Sequence, residues 1–209
     1  MGIEKHWETV YRTKSPDQLS WTEQKPQTSL DLIHSFGLDK TAKIIDVGGG
    51  DSNLVDCLLN EGFEHITVLD ISAKALQKTR DRLGDRAKKV NWIVGDITEF
   101  EPWETYDVWH DRAMLHFLTS QGQIEKYKEL VNRATSGFVV LGAFSKNGPT
   151  QCSGLEILQY DEEKMENLLK DGFDRMECIH KDHNTPFGTT QNFIFCSFKK
   201  RTARSKVEN

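Results

Sequence analysis

Apolar residues along this chain fall into short runs separated by stretches of helical spacing. Residues 43–46, 65–70, 90–94, 106–110 and 137–144 are rich in Val, Ile, Leu and aromatics, as buried strands are. Between them, 53–59, 73–83 and 123–133 carry apolar residues three and four apart, the pattern of helices with one buried face. Ser72 stands where an N-cap would, and Asp161 stands likewise before a helix over 161–170. The stretch 145–155 is a loop rich in Gly, Pro, Ser and Thr. Two more strands come after it, 173–180 and 191–199, joined through Asn184-Thr185-Pro186-Phe187-Gly188. Ahead of the first strand, residues 6–11 form a short helix with Trp7 and Tyr11 on one face. A turn at Ser15-Pro16-Asp17, a solitary Trp21 and an amphipathic helix over 28–36 come next. Alternating strands and helices predict an α/β fold built on a doubly wound, mostly parallel sheet. The expected organisation is an N-terminal helical arm over 1–40, one domain over 41–200 and a polar, disordered tail over 201–209.

The stretch Lys43–Asp51 is the centre of this pattern. Ile44 and Ile45 lead to Asp46, and Gly48, Gly49 and Gly50 come before a helix. Glycines there permit positive φ and let a ligand approach without a Cβ in the way. Free N–H groups at a helix N-terminus make such a turn a nucleotide site. The second strand ends in Asp70, where an acid can accept both hydroxyls of a ribose. The third run ends in Asp96, placed to accept from an adenine amino group.

Three strands each closing on Asp, with Asp46-Val47-Gly48-Gly49-Gly50-Asp51-Ser52 at the first, resemble the class I S-adenosylmethionine-dependent methyltransferases. Ser52 departs from that family's first motif, which has Gly there; Asp70 and Asp96-Ile97 match its second and third. The resemblance spans about residues 40–200. It implies seven strands with a terminal antiparallel pair, S-adenosylmethionine as cofactor, S-adenosylhomocysteine as product, and no metal. It assigns Trp7, Asp46, Gly48, Gly49, Gly50, Asn53, Asp70, Ile71, Asp96, Ile97, Asp111 and Arg112 to the cofactor. Tyr11, Trp21, Arg112, His116 and Phe144 fall to the acceptor, with His116 the candidate base. Arg112 could pair with Asp111 or with a substrate carboxylate. The N-terminal arm would act as a lid whose aromatics exclude water and stabilise a sulfonium by cation–π contact. Methyl transfer is an in-line displacement, so positioning does much of the work and no protein nucleophile is needed; a base helps a protonated acceptor.

The expected function is methyl transfer to an O, N or S atom of a small molecule. A protein lysine is the alternative acceptor, and a non-catalytic cofactor-binding module the alternative of another class. No Asn-Pro-Pro-Tyr-like stretch comes after the fourth strand, which points away from exocyclic amines of bases. A nicotinamide-dependent dehydrogenase is a weaker rival: Tyr160 and Lys164 have a Tyr-x-x-x-Lys spacing, but the third glycine of that fingerprint is replaced by Asn53. A net charge of −5 weighs against a large nucleic-acid footprint. No apolar run could span a bilayer and no signal-like N-terminus is present. Cys57, Cys152, Cys178 and Cys196 lack paired spacing and read as reduced thiols of a cytoplasmic protein, neither a disulfide frame nor a zinc site. His180 and His183, three apart in a strand, would face opposite ways and not share a metal.

Overall fold

The computed structural model describes residues 2–202. Seven strands form one sheet: β1 (Lys43–Val47), β2 (His65–Asp70), β3 (Val90–Val94), β4 (Tyr106–Arg112), β5 (Thr135–Phe144), β8 (Phe173–Asn184) and β9 (Thr190–Lys200). Their order is β3-β2-β1-β4-β5-β9-β8. The first five are parallel; β9 runs antiparallel to both β5 and β8. Parallel pairing forces crossovers, and the helices that make them bury both faces of the sheet.

Alternate residues of each strand therefore enter different cores. Ile44, Val108 and Val140 meet α2 (Gln27–Ser35), α3 (Leu54–Asn60) and α4 (Ala73–Leu83) through Leu30, Ile33, Leu58 and Leu76. Ile45, Trp109 and Leu141 meet α5 (Gln121–Ala134) and α6 (Glu162–Leu169) through Tyr127, Val131, Met165 and Leu169. Each such fully buried aliphatic contributes about 1.5–3 kcal/mol by leaving water. Ser72 caps α4 by accepting from Ala75 N, and Asp161 caps α6 by accepting from Lys164 N; such a cap is worth about 1 kcal/mol.

The arm divides in two. Helix α2 belongs to the domain core, since Leu30, Leu32 and Ile33 are buried in it. Helix α1 (Ile3–Thr13) instead docks on α4, where Val10, Tyr11 and Leu19 cluster with Ala75. Glu8 fixes it there: its carboxylate accepts from Ser72 Oγ and Lys74 N, both at 3.0 Å. An acid facing the first turn of α4 is also favoured by the helix dipole.

Four expectations need correction. The fourth strand continues through Asp111 to Arg112, and beyond it lies a single 3-10 turn over Leu115–Phe117, not the start of a helix. The loop over 145–155 contains a short antiparallel pair, β6 (Gln151–Cys152) and β7 (Leu155–Glu156). Cys178 and Cys196 form a disulfide: they sit opposite one another in the β8–β9 register with Cα atoms 4.1 Å apart. Nothing in their sequence spacing announces it, because only the register of the terminal pair brings them together; Cys57 and Cys152 are free. Arg201 is ordered by its backbone bond to Gly172 O and its ion pair with Asp174 at 2.7 Å. The rest of the expected tail, residues 203–209, lies outside the described residues. No helix among those described is long and apolar enough to cross a membrane.

Candidate functional site

Strand order reverses between β1 and β4, which opens a crevice at their carboxyl ends. The turn after β1 is pinned beside that crevice to the neighbouring strand β2, by Gly48 N donating to Leu69 O at 2.7 Å. Gly48 has φ +68°, and a Cβ on it would lie 2.8 Å from Met114 Cβ. A Cβ on Gly50 would lie 2.6 Å from Asp70 Oδ2. Both positions therefore require glycine, one for its conformation and one for its proximity to an acid.

Asp70 ends β2 and is 6% exposed. Its Oδ1 accepts from Ser72 N at 2.8 Å. Burial raises its pKa to about 7, against the opposing pull of hydrogen bonds from the Ser72 and Gly50 backbones. Asp96 lies just past β3 and uses Oδ1 for Thr98 N and Thr98 Oγ1, both at 2.8 Å.

Asp70, Ile71, Asp96 and Ile97 line one end of a cavity of about 250 Å³. Gly48 and Met114 form its middle, and Phe144, Cys152 and Phe193 its far end. Trp7, Tyr11 and Trp21 of the arm and Phe117 also face it. Their rings are mutually close: Trp7 lies 5.1 Å from Phe117, 5.8 Å from Trp21 and 6.2 Å from Tyr11. A smaller cavity shares Gly48, Arg112 and Trp21 with the first and adds Asp46, Gly49 and Asn53. Two buried polar atoms lack protein partners there, Asp46 Oδ2 and Arg112 Nε. The other oxygen of Asp46 meets His110 Nδ1 at 2.7 Å, and His110 Nε2 meets Ser29 Oγ at 2.8 Å.

Three expected site residues do other work. Asp111 is fully buried and away from the cavity; its carboxylate accepts from Tyr127 OH at 2.7 Å and from Met114 N and Leu115 N. It shapes the turn that carries Met114 to the crevice, and burial lifts its pKa to about 6. Asn53 gives its side-chain N–H to Glu23 O at 2.8 Å, tying down the arm. His116 is sealed: it has no exposure, neither ring nitrogen has a partner, and its ring stacks on Phe144 at 4.7 Å. Burial lowers its pKa to about 3, so it is a neutral ring behind the cavity wall, not a base facing it.

Arg112 does not pair with Asp111. Its guanidinium donates to Trp21 O at 3.0 Å and pairs with Glu23 at 3.3 Å. His183 joins the same clasp, with Nε2 at 2.6 Å from Ser20 O and Nδ1 at 3.2 Å from Glu23. Sequence reasoning weighed His183 only as a metal ligand and passed over Glu23, since nothing local marks a polar residue that will hold an arm. It also passed over Met114, Phe117, Cys152 and Phe193 as wall residues; Phe193 was legible only as an apolar strand position. Tyr160 and Lys164 do not line the cavity: Tyr160 is buried, and Lys164 is spent on Gln159 O. That removes the geometric support for a dehydrogenase. Among the described residues, no group of three or more His, Cys, Asp or Glu is placed to hold a metal ion.

Residues 44–137, a little under half of the chain, match the family model described as "Methyltransferase domain". Among curated relatives, the chain is 24% identical over 115 residues to the mouse (Mus musculus) "eEF1A lysine and N-terminal methyltransferase". That stretch is 54% of this chain and 16% of the relative, so the chain spans a small part of that protein's length. Among solved structures, one described by the conversion of a disulfide bond into a thioacetal group during echinomycin biosynthesis superposes with a TM-score of 0.78. It covers 98% of this chain and 96% of its own at 18% identity. The 1,6-didemethyltoxoflavin-N1-methyltransferase of Burkholderia thailandensis, with its substrate and S-adenosylhomocysteine bound, has a TM-score of 0.70 at 14% identity, covering 96% of this chain and 88% of its own. At these identities the structures speak for the fold.

Proposed function

We propose that this protein transfers a methyl group from S-adenosylmethionine to a small-molecule acceptor. The observation that carries the reading is one continuous cavity that joins two acid-ended strands to an aromatic end. The residues present fit the cofactor. A glycine turn leaves room against Asp70 that any Cβ would fill. Asp70 would accept from the ribose hydroxyls and Asp96 from the adenine amino group, with Ile71 and Ile97 against the base. The orphaned Asp46 Oδ2 and Arg112 Nε, one acceptor and one donor, suit the ammonium and carboxylate of an amino acid. When bound, S-adenosylmethionine supplies an electrophilic methyl group on a sulfonium. The chain's own residues would then bind, align and keep water out. Trp7, Tyr11 and Trp21 would cover the site as a lid, and Phe144 would wall the acceptor.

A small acceptor is supported by the mostly apolar end of the cavity beneath a docked arm. The toxoflavin enzyme is named for a small acceptor and the mouse relative for a protein one. The test has two arms. Calorimetry should give a 1:1 complex with S-adenosylhomocysteine, and a panel of small thiols, amines, phenols and carboxylic acids should include one that releases it from S-adenosylmethionine. No binding would overturn the cofactor assignment. Binding with no small acceptor, alongside a methylated lysine in lysate protein, would move the acceptor to protein. Binding with no turnover on either would leave a non-catalytic module.

A further inference from the structure

The far end of the cavity combines an aromatic wall with, among the described residues, no group placed to take a proton. Resting on the methyltransferase reading, we infer that the acceptor presents an uncharged nitrogen or sulfur lone pair on an apolar body, and that methylation leaves it cationic.

Position comes first. Strand order runs β2-β1-β4-β5-β9, so Asp70 and the far wall at Phe193 are four strand spacings apart, about 19 Å at ~4.8 Å each. The carboxylates of Asp70 and Asp96 are thus at the wrong end to serve an acceptor beside Phe144 and Phe193. Among the described residues, the titratable groups beside that wall are Cys152 and, behind it, His116, while Tyr11 stands between the two ends, within Coulomb reach of both Asp70 and Cys152. The Tyr11 hydroxyl and the Cys152 thiol both hold their protons more tightly than usual because they are buried, the thiol with its pKa pushed up to about 12. His116 is neutral but sealed, with no path from its ring nitrogens to the cavity surface. A hydroxyl acceptor must lose its proton as the new bond forms, and nothing here can receive it. A carboxylate acceptor would arrive ionised, but Arg112, the only cation on the wall among the described residues, has its Nη2 engaged by Glu23 and Trp21 O and its free Nε on the cofactor side. An uncharged amine nitrogen or thioether sulfur needs neither service.

The transfer balances without a base. The acceptor's lone pair forms the bond to the methyl carbon, the donor's carbon–sulfur bond breaks, and its electron pair stays on the donor sulfur. The positive charge passes from donor to acceptor and no proton leaves. A charge developing among Trp7, Tyr11, Trp21 and Phe117 is stabilised by the ring quadrupoles, most where water is excluded. The same wall gives nothing to an anion. One aromatic set therefore selects the acceptor and favours the charge that the reaction delivers to it.

The test separates this inference from the reading beneath it. Calorimetry with S-adenosylhomocysteine comes first and does not involve the far wall; no binding there ends both. On the saturated complex, phenyltrimethylammonium should bind about tenfold more tightly than its uncharged isostere tert-butylbenzene, and benzoate should not compete. Trp7→Leu and, independently, Phe117→Leu should erase most of that preference, while Trp7→Phe should keep it. In turnover, N,N-dimethylaniline or thioanisole should release S-adenosylhomocysteine and phenol should not. Equal binding of the ammonium and its isostere, or turnover of phenol with neither uncharged N nor S acceptor accepted, overturns the inference while leaving cofactor binding intact.

Discussion

Asp70 and Asp96 stand at one end of the crevice, Phe144 and Phe193 at the other, and the two ends draw on different parts of the chain. The first is made within residues 46–97, from positions that lie where strands stop. Backbone bonds hold it: Gly48 N to Leu69 O at 2.7 Å and Gly95 N to Asp70 O at 3.0 Å. The second gathers Trp7, Trp21, Phe117, Phe144, Cys152 and Phe193 from across the chain. Side chains hold it: Glu8 on the start of α4, and Arg112, Asn53 and His183 on residues 20–23. An end fixed by topology tolerates little change. An end fixed by side-chain clasps can alter what it accepts while the cofactor end stays as it is.

The largest expected effect tests the topological end. Gly50→Val puts a branched side chain where a Cβ alone already meets Asp70 Oδ2. Affinity for S-adenosylhomocysteine should fall more than about 100-fold, upward of ~2.7 kcal/mol, with the far-ultraviolet circular dichroism of the wild type. Unchanged affinity in a folded variant would break the assignment of that end. Next comes removal of residues 1–21, which takes away Trp7, Tyr11 and Trp21 together with the buried Val10 and Leu19. Because the arm builds the acceptor end and excludes water, single-turnover rate should drop by about 100-fold, with cofactor affinity reduced far less. Melting temperature should also fall. A truncated protein with wild-type turnover would show that the arm is packing alone, and activity that merely tracks the folded fraction would show the same.

Asp70 offers a smaller effect with a sign that can be checked. Removing a charged acceptor from a ribose diol costs about 1.5–3 kcal/mol, so Asp70→Asn should weaken S-adenosylhomocysteine binding roughly 10–150-fold at pH 8. The carboxyl has a folded-state pKa near 7, above its unfolded value. Its contribution to stability is therefore full below about pH 4 and is lost as pH rises toward 7. Relative to Asp70→Asn, the cofactor-free wild type should thus melt progressively lower across that window. Cofactor affinity should go the other way, rising with pH up to about 7 and then levelling, because the ionised carboxylate is the better acceptor. A pH-independent affinity in the wild type would mean that Asp70 does not carry the diol.

Legibility in the sequence divides the same way. The strands of the sheet and the terminal antiparallel pair were legible because β-branched runs, three acids at strand ends and a glycine turn are local signals that survive without tertiary knowledge. Ser72 and Asp161 were legible as caps for the same reason. The Cys178–Cys196 pair was not, since it exists only in the register of β8 and β9. Glu23 and His183 were not, since their partners are residues of a distant arm or strand. Asp111 and His116 are buried for different reasons. Asp111 lies within β4 on the same face as Trp109, so strand alternation sends it to the core beside Tyr127, whereas His116 lies beyond the left-handed residue Ala113, φ 72°, which redirects the chain ahead of it. No local composition dictates that conformation for an alanine.

His116 provides the smallest expected effect and the sharpest test of how the acceptor end works. Its imidazole sits at no exposure with two unpartnered nitrogens, and burial holds it neutral, its pKa near 3. A buried polar group without partners costs about 1–3 kcal/mol of desolvation. An apolar residue of similar volume avoids that cost and gives up the ring contacts with Phe144 and Phe117. His116→Leu should therefore melt within a few degrees of the wild type or slightly above it, since ~1 kcal/mol moves the midpoint of a domain of this size by about 2–4 °C. Turnover with the best acceptor should stay within about twofold, because no proton passes through the ring. The pH–rate profile should also keep its shape between about pH 6 and 9, where a working histidine base would have shown its limb. A loss of 100-fold or more, with S-adenosylhomocysteine affinity and melting unchanged, would return the base to His116. It would mean that the wall over this residue opens during turnover, and the acceptor end would then have to be read as one that takes protons as well as methyl groups.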